Sequence, residues 1–375
     1  MKDLGQSVLH GYLTLSAMVV IPAKSDLLRK LLFAVGRLGL KLEVTSFESS
    51  FHPAIDVPSQ KSENAKSLCV SILGALGNGD ILAHTTRFLA ERKINIRDIK
   101  SLNDQSLSGV ELIVDVFPEE KLNSNDLKSL RGEILKLAQT LKCDMAVQED
   151  DIFRRHKRLV CMDVDSTFIQ MEVIDELARM HGVYEKVAKI TEEAMQGKLD
   201  FKQALRERVL QLKGLKFSKA QEILQNIPVT PGADVLVSTL KNLGFKVGLV
   251  SGGFDFLVDE LKKRFHLDFA FSNKLELSNN GELSGKVTGT IVDAERKAQI
   301  LHDMTQVFSF HPAQSIAVGD GANDRLMLES AGLGIAFKAK AKLQEIAEVS
   351  INQGNLDSLL LLMGISKKDI KLLAK

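Results

Sequence analysis

Cysteine is scarce, with three in 375 residues: Cys69, Cys143 and Cys161. An odd, widely spaced set makes no disulfide framework and has no CxxC metal spacing, which points to a reducing interior. An excess of either charge is also missing. Lys plus Arg number 49 and Asp plus Glu 48, so there is no overall electrostatic case for nucleic acid or an anionic membrane as partner. Long hydrophobic runs are lacking as well. The most apolar stretch near the N-terminus, Leu13 to Ile21, covers nine residues with no basic region before it. It is too short for a membrane helix and poorly shaped for a signal peptide. The expectation is a cytoplasmic protein with no nucleic-acid and no membrane partner.

What is present is an ordinary globular composition, 45% hydrophobic and 26% charged, enough to bury a real core. At roughly 150 residues per domain the length predicts two or three domains. Residues 1–66 read as strand (Leu13–Ile21), helix (Asp26–Leu38) and strand (Leu40–Phe47), followed by a polar linker, Ser49 to Lys66, that holds Pro53 and Pro58. Residues 67–150 read strand (Leu68–Leu73), helix (Asp80–Arg92), strand (Asn95–Ser101), strand (Val110–Phe117), helix (Asn125–Leu141), strand (Asp144–Gln148). Asp80 is the expected cap of the first helix, and Asn123-Ser124-Asn125 offers caps for the second. This βαββαβ order is the ferredoxin-like pattern; the strand–helix–strand before it reads as a partial repeat. From residue 151 to 375 strands and helices alternate as in a parallel α/β sheet. A wholly helical insertion at about 172–227 follows the first strand, Leu159–Met162. Asn279-Asn280-Gly281 is a hairpin turn between two β-rich runs.

The chemistry sits at strand ends. Asp163 and Asp165 emerge together from the apolar run Leu159–Met162, at the carboxyl edge where open α/β sheets bind ligands. One carboxylate there can attack phosphorus or hold a cation while its neighbour shuttles a proton. Alone the pair is weak evidence, because Asp is common in strand-to-helix loops. Gly319-Asp320-Gly321-Ala322-Asn323-Asp324 follows another apolar strand. Its glycines allow a tight loop on which Asp320, Asn323 and Asp324 converge, a hard-oxygen set suited to Mg²⁺. Ser251-Gly252-Gly253 ends a third strand and can cradle a phosphate with a hydroxyl and freed backbone N–H groups. A lysine is wanted to neutralise phosphate charge, and physics alone does not separate Lys297 from Arg296 or Lys286.

These motifs, in this order, resemble the haloacid dehalogenase superfamily of aspartate-nucleophile phosphohydrolases. The insertion narrows the resemblance to its phosphoserine phosphatases: Glu172 lies seven residues after Asp165, and Ala194-Met195-Gln196-Gly197-Lys198-Leu199-Asp200-Phe201 and Leu205-Arg206-Glu207-Arg208-Val209 follow. Arg325 stands where that family more often carries an apolar residue. The resemblance implies a Rossmann-like parallel sheet with a helical cap after its first strand. It implies Asp163 as nucleophile and Asp165 as acid then base, with Mg²⁺ held by Asp163, the Asp165 backbone carbonyl and Asp320, and Asp324 in support. Ser251, Gly252, Lys297 and Asn323 would hold the phosphate. Glu172 would take the ammonium of phosphoserine, Arg208 its carboxylate, and Met195 and Phe201 would close an apolar wall.

Residues 67–150 resemble the ACT regulatory fold, which implies a regulatory amino acid and a homodimer; Gly77-Asn78-Gly79-Asp80 is a loose match to its ligand turn. Two readings compete with phosphoserine hydrolysis. One is another phosphatase or phosphotransferase of the superfamily, and the other a non-catalytic amino-acid sensor. A sensor has no need of a nucleophile beside an acid.

Overall fold

The computed structural model describes residues 3–9, 12–19, 25–44, 66–74, 79–102, 109–116, 124–344 and 347–373. The chain opens with β1 (Asp3–Leu9), β2 (Tyr12–Met18) and α1 (Leu27–Arg37). β3 (Lys66–Leu73), α2 (Asp80–Glu91), β4 (Asn95–Ser101), β5 (Gly109–Val116), α3 (Ser124–Leu141) and β6 (Asp144–Glu149) follow. Next come β7 (Leu159–Met162) and four helices in succession, α4 (Val173–His181), α5 (Tyr184–Met195), α6 (Phe201–Gln211) and α7 (Phe217–Ala220). Then α8 (Ala233–Asn242), β8 (Lys246–Phe254), α9 (Asp255–Arg264), the hairpin β9 (Phe269–Leu277) and β10 (Leu283–Thr288), and α10 (Ala294–Val307). The chain finishes with β11 (Ser315–Gly319), α11 (Arg325–Ser330), β12 (Gly334–Phe337), α12 (Ala341–Gln344), β13 (Val349–Ile351), α13 (Ser358–Leu362) and α14 (Lys367–Leu373).

Among the described residues thirteen strands join one sheet, in the order β10-β9-β8-β7-β11-β12-β13-β6-β3-β5-β4-β1-β2. From β9 to β13 every neighbouring pair is parallel. β7 is central, all four of its residues are buried, and its Leu-Val-Cys-Met sequence is the unbroken apolar run of a strand covered on both faces. From β7 the chain goes to β8 and β9 on one side, then returns to β11, β12 and β13 on the other. The carboxyl ends of β7 and β11 therefore flank the switch point where α/β sheets gather ligands.

The order β6-β3-β5-β4, antiparallel throughout, is the ferredoxin-like sheet. It joins the parallel part at a narrow seam, a single β13–β6 register pair, Val349 with Ala146. Side chains reinforce that seam. The Asp144 carboxylate accepts from the backbone N–H groups of Asn352, Gln353 and Gly354 at 2.7–3.2 Å. Gln148 donates to the Leu362 carbonyl at 3.2 Å, and Leu359, Leu360, Leu361 and Leu362 of α13 are all buried.

Several expectations need correcting. Gly79, not Asp80, occupies the N-cap of α2, in the left-handed region at φ 81°; Asp80 is the first helical residue, and its charge meets the helix dipole instead. β1 was not expected. Its sequence, DLGQSVL, has a weak strand signature, and it is strand because it pairs along its length with β2 and adds to β4 through Gly5 and Gln6. Residues 40–44 of the expected third strand are coil, and 45–47 lie outside the described residues. So do Asn123, Gly77-Asn78 and most of the Ser49–Lys66 linker. Among the described residues no helix is long and apolar enough to cross a membrane.

Candidate active site

β7 delivers Asp163 at the sheet edge, where its N–H donates to the Val318 carbonyl of β11 at 2.9 Å. The chain then turns sharply. Ser166 takes a left-handed φ of 58°, rare for a residue with a side chain and a mark of a turn held by its surroundings. The turn carries Asp165 past Asp163. The Asp165 carboxylate accepts from Val173 N–H at 2.9 Å and from the Ser251 hydroxyl at 3.1 Å. Ser251 in turn accepts from Gly253 N–H at 2.7 Å. A Cβ on Gly253 would lie 2.7 Å from Asp165 Oδ2, so only glycine lets this strand end come so close.

Lys297 answers the question the sequence left open. α10 is capped by Asp293, which accepts from Arg296 N–H at 2.9 Å, and one turn later Lys297 points inward, fully buried. Its ammonium donates to Asp163 Oδ1 at 2.6 Å and Asp324 Oδ1 at 2.7 Å. Asp324 spends its other oxygen on the N–H groups of Asp320 and Gly321, at 3.1 and 3.0 Å. It is thus an inward brace of the 319–324 loop, and the adjoining Asp320 is left half-buried with one long contact, from Thr167 Oγ1 at 3.4 Å. Carboxylate oxygens of Asp163, Asp320 and Asp324 all lie within 4.8 Å of one another.

Charge in this cluster is unbalanced, with three carboxylates facing one ammonium. Burial, then the negative charge of Asp324, pushes the Asp163 carboxyl well above the usual range, against the pull of Lys297. Burial and Asp324 likewise raise Asp320 to about 6. Burial alone would lower Lys297, but Asp163 and Asp324 raise it instead. A buried, all-oxygen donor set with surplus negative charge fits a hard divalent cation.

The cap helices α4 to α7 bring the remaining expected residues over this floor. Phe201 opens α6, behind a capping box made by Asp200 and Gln203, and its ring tip lies 3.0 Å from where a Cβ on Gly252 would stand. Glu172, just before α4, accepts from Ser166 Oγ at 2.8 Å. It is open to solvent on one side, yet burial on the other and then the Asp165 charge push it up to about 7. Arg208 is half-buried and donates from Nε to the Ala204 carbonyl at 3.3 Å. Burial lowers its pKa, while Glu172, Asp175 and Asp165 oppose that. Asn323 is half-buried on the 319–324 loop. Met195 does not join them. At the end of α5 its side chain is 71% exposed, so it closes no apolar wall in this conformation; the resemblance implies an inner face there, and α5 turns Met195 outward.

No motif flagged Asn273. It is 1% exposed, donates to the Gly252 carbonyl at 2.8 Å and accepts from Val292 N–H at 2.9 Å, so it fixes the Ser251-Gly252-Gly253 end of β8, where the register against β9 shifts, against the segment leading into α10. A lone Asn in a β-rich run offers no sequence signal for that role.

A paired-aspartate strand end, a buried lysine, an acidic loop on the neighbouring strand and an inserted helical cap define a haloacid dehalogenase-like hydrolase. The model of that family, "haloacid dehalogenase-like hydrolase", matches residues 157–332. The phosphoserine phosphatase SerB2 of Mycobacterium tuberculosis is 37% identical over 98% of this chain and 87% of its own. The solved structure of a probable phosphoserine phosphatase from Vibrio cholerae, unliganded, is 33% identical, covers 84% of this chain and 91% of that one, and gives a TM-score of 0.63. A phospho-aspartyl intermediate analogue of phosphoserine phosphatase, 43% identical, covers 55% of this chain and 98% of that one with a TM-score of 0.52. The chain belongs to the phosphoserine phosphatase family of these hydrolases.

Proposed function

We propose that this chain hydrolyses O-phosphoserine to serine and phosphate, in two in-line transfers through an aspartyl-phosphate on Asp163. The observation that carries the reading is the fully buried Lys297 ammonium fixed between Asp163 and Asp324 under a cap that presents Glu172 and Arg208. Lys297 holds Asp163 Oδ1 and leaves Oδ2 to attack phosphorus. As that bond forms, the bond from phosphorus to the serine oxygen breaks, and Asp165 gives its proton to the departing oxygen. Burial raises the Asp165 pKa, which favours the protonated acid this step requires. Asp165, now a carboxylate, takes a proton from water as the water oxygen attacks phosphorus, and Asp163 is released. Asp163, Asp320 and the Asp165 backbone carbonyl would hold Mg²⁺, with Asp324 bracing the loop; when bound, the ion neutralises charge on the transferring phosphoryl group.

Ser251, Gly252 and Asn323 bind the phosphate beside Lys297. Glu172 takes the ammonium and Arg208 the carboxylate, while Phe201 excludes water. Residues 67–150 are read as an ACT-like unit that binds a regulatory amino acid and supports a homodimer, with 1–66 a partial repeat and linker; the ferredoxin-like strand order supports this. The chain works in the cytoplasm.

The test is phosphate release from phosphoserine, phosphothreonine, phosphoethanolamine and an aryl phosphate, with Mg²⁺ and with chelator. Wild type should prefer phosphoserine and need the metal. Asp163→Asn should lose more than about 10³-fold in kcat and keep its fold. Near-normal turnover in that variant would remove Asp163 from the nucleophile's role.

A further inference from the structure

The cap is fastened to the body of the protein along two of its sides. At its stem, Gln170 N–H donates to the Pro228 carbonyl at 2.7 Å and Thr230 N–H to the Phe168 carbonyl at 3.0 Å. Along its flank, the turn after α6 pairs with β10 and its hairpin. Gly214 N–H bonds the Leu283 carbonyl at 2.9 Å, Leu283 N–H the Leu215 carbonyl at 2.8 Å, and Phe217 N–H the Gly281 carbonyl at 2.9 Å. The α5–α6 turn, residues 196–200, is the far edge, where Met195 lies exposed.

At that edge α6 begins, and its capping box sets the direction of two consecutive side chains. Phe201 lands on Gly252. Lys202 reaches Asp293, with Nζ to Oδ2 at 2.8 Å. The two ends of this ion pair differ: the Lys202 side chain is 53% exposed, the Asp293 side chain 8%. Asp293 is also the N-cap of α10, one turn before the lysine that bridges Asp163 and Asp324.

We propose that Lys202 and Asp293 form the clasp of the cap, a positioning contact that holds its far edge down on the Ser251–Gly252 end of β8 and the start of α10 while substrate is bound. The inference rests on the reading of Ser251, Gly252 and Lys297 as the phosphate-binding surface. Neither clasp residue touches the reacting atoms. When the cap lifts, Asp293 exchanges its counter-ion for water, so opening costs little. When it closes, the pair forms only if Phe201 is seated. An exposed lysine on a buried carboxylate suits a contact made and broken each cycle, because it adds a modest bias instead of a lock.

The experiment has two readouts. Phosphoserine turnover by the wild type tests the underlying reading by itself. Given that turnover, kcat/KM should fall about fivefold in Lys202→Ala and about tenfold or more in Lys202→Glu, with Lys202→Arg within about twofold of wild type. The second readout needs no catalysis. In an Asp163→Asn background, phosphoserine should protect the 196–200 turn from tryptic cleavage after Lys198, followed by mass spectrometry, and adding Lys202→Glu should abolish that protection. Unchanged kcat/KM in Lys202→Glu, or an Arg variant as slow as the Glu variant, overturns the clasp. A fall in kcat/KM with full protection makes Lys202 a steering charge and overturns it equally.

Discussion

Lys297→Met removes the single cation from a buried cluster while roughly keeping the side chain's volume. In the wild type, Lys297 is 0% exposed and its partners Asp163 and Asp324 are 5% and 0% exposed. Methionine fills the space and leaves both carboxylates without a counter-charge. Breaking a buried pair from one side costs about 3–5 kcal/mol, because the charge left behind stays desolvated. Two bonds of 2.6 and 2.7 Å are lost here, and Asp324 keeps its two backbone donors, so about 4 kcal/mol is expected. The assay is urea unfolding at pH 7.5 in chelator, read by circular dichroism. Two companions sharpen it. Adding Asp324→Asn to Lys297→Met removes one stranded charge and should return about 1–3 kcal/mol, although Asp324→Asn alone destabilises. Millimolar Mg²⁺ should also stabilise Lys297→Met more than wild type, since it supplies the missing charge. A loss below about 1 kcal/mol in Lys297→Met, or a double variant weaker than the single by the full cost of Asp324→Asn, would refute the account of the cluster.

Other outcomes follow from the cap and the seam. Arg208→Ala should weaken phosphoserine use by about 1.5–3 kcal/mol, the scale of a charged hydrogen bond, and harm phosphoethanolamine, which has no carboxylate, far less; equal losses would contradict the role of Arg208. With its pKa near 7, Glu172 is charged above that pH and neutral below it. KM for phosphoserine should therefore rise as pH falls from 8 to 6, by at most about tenfold per unit and less for the solvent on its open side. Glu172→Gln should flatten that part of the profile, and a profile unchanged by the substitution would remove Glu172 from the ammonium site. Asp144→Ala strands three N–H groups across the β13–β6 seam and should cost about 1–3 kcal/mol in thermal or urea unfolding without lowering kcat.

The residues explain why some of this was legible in the sequence and some was not. β7 could be bounded because four apolar residues run straight into an acidic pair. The βαββαβ order of 67–150 was readable because its periodicities are strong. β1 was hidden, since a strand of Gly, Gln and Ser owes its state to the strands beside it. The aspartates and the glycine turns could be found by type and spacing. Lys286 falls on β10, and choosing between Lys297 and Arg296 depended on which one α10 turns inward, which follows from where Asp293 starts the helix. Asn273 and the Lys202–Asp293 pair carry no local pattern, because each matters only through a partner distant in sequence. Met195 was assigned by likeness to an inner wall, and its exposure at the end of α5 shows that a motif can match while the side chain faces out.

The β13–β6 seam bears on how this chain can be cut. A phosphatase half begun near residue 151 would lose the strand that covers β13, and β13 would become an open edge, able to pair with another molecule. It would also uncover the leucine row of α13 and leave the N–H groups of Asn352, Gln353 and Gly354 without the Asp144 carboxylate. Such a fragment is expected to self-associate through that edge. In the whole chain, the ferredoxin-like unit acts as a bumper, keeping the enzyme's raw border away from its neighbours.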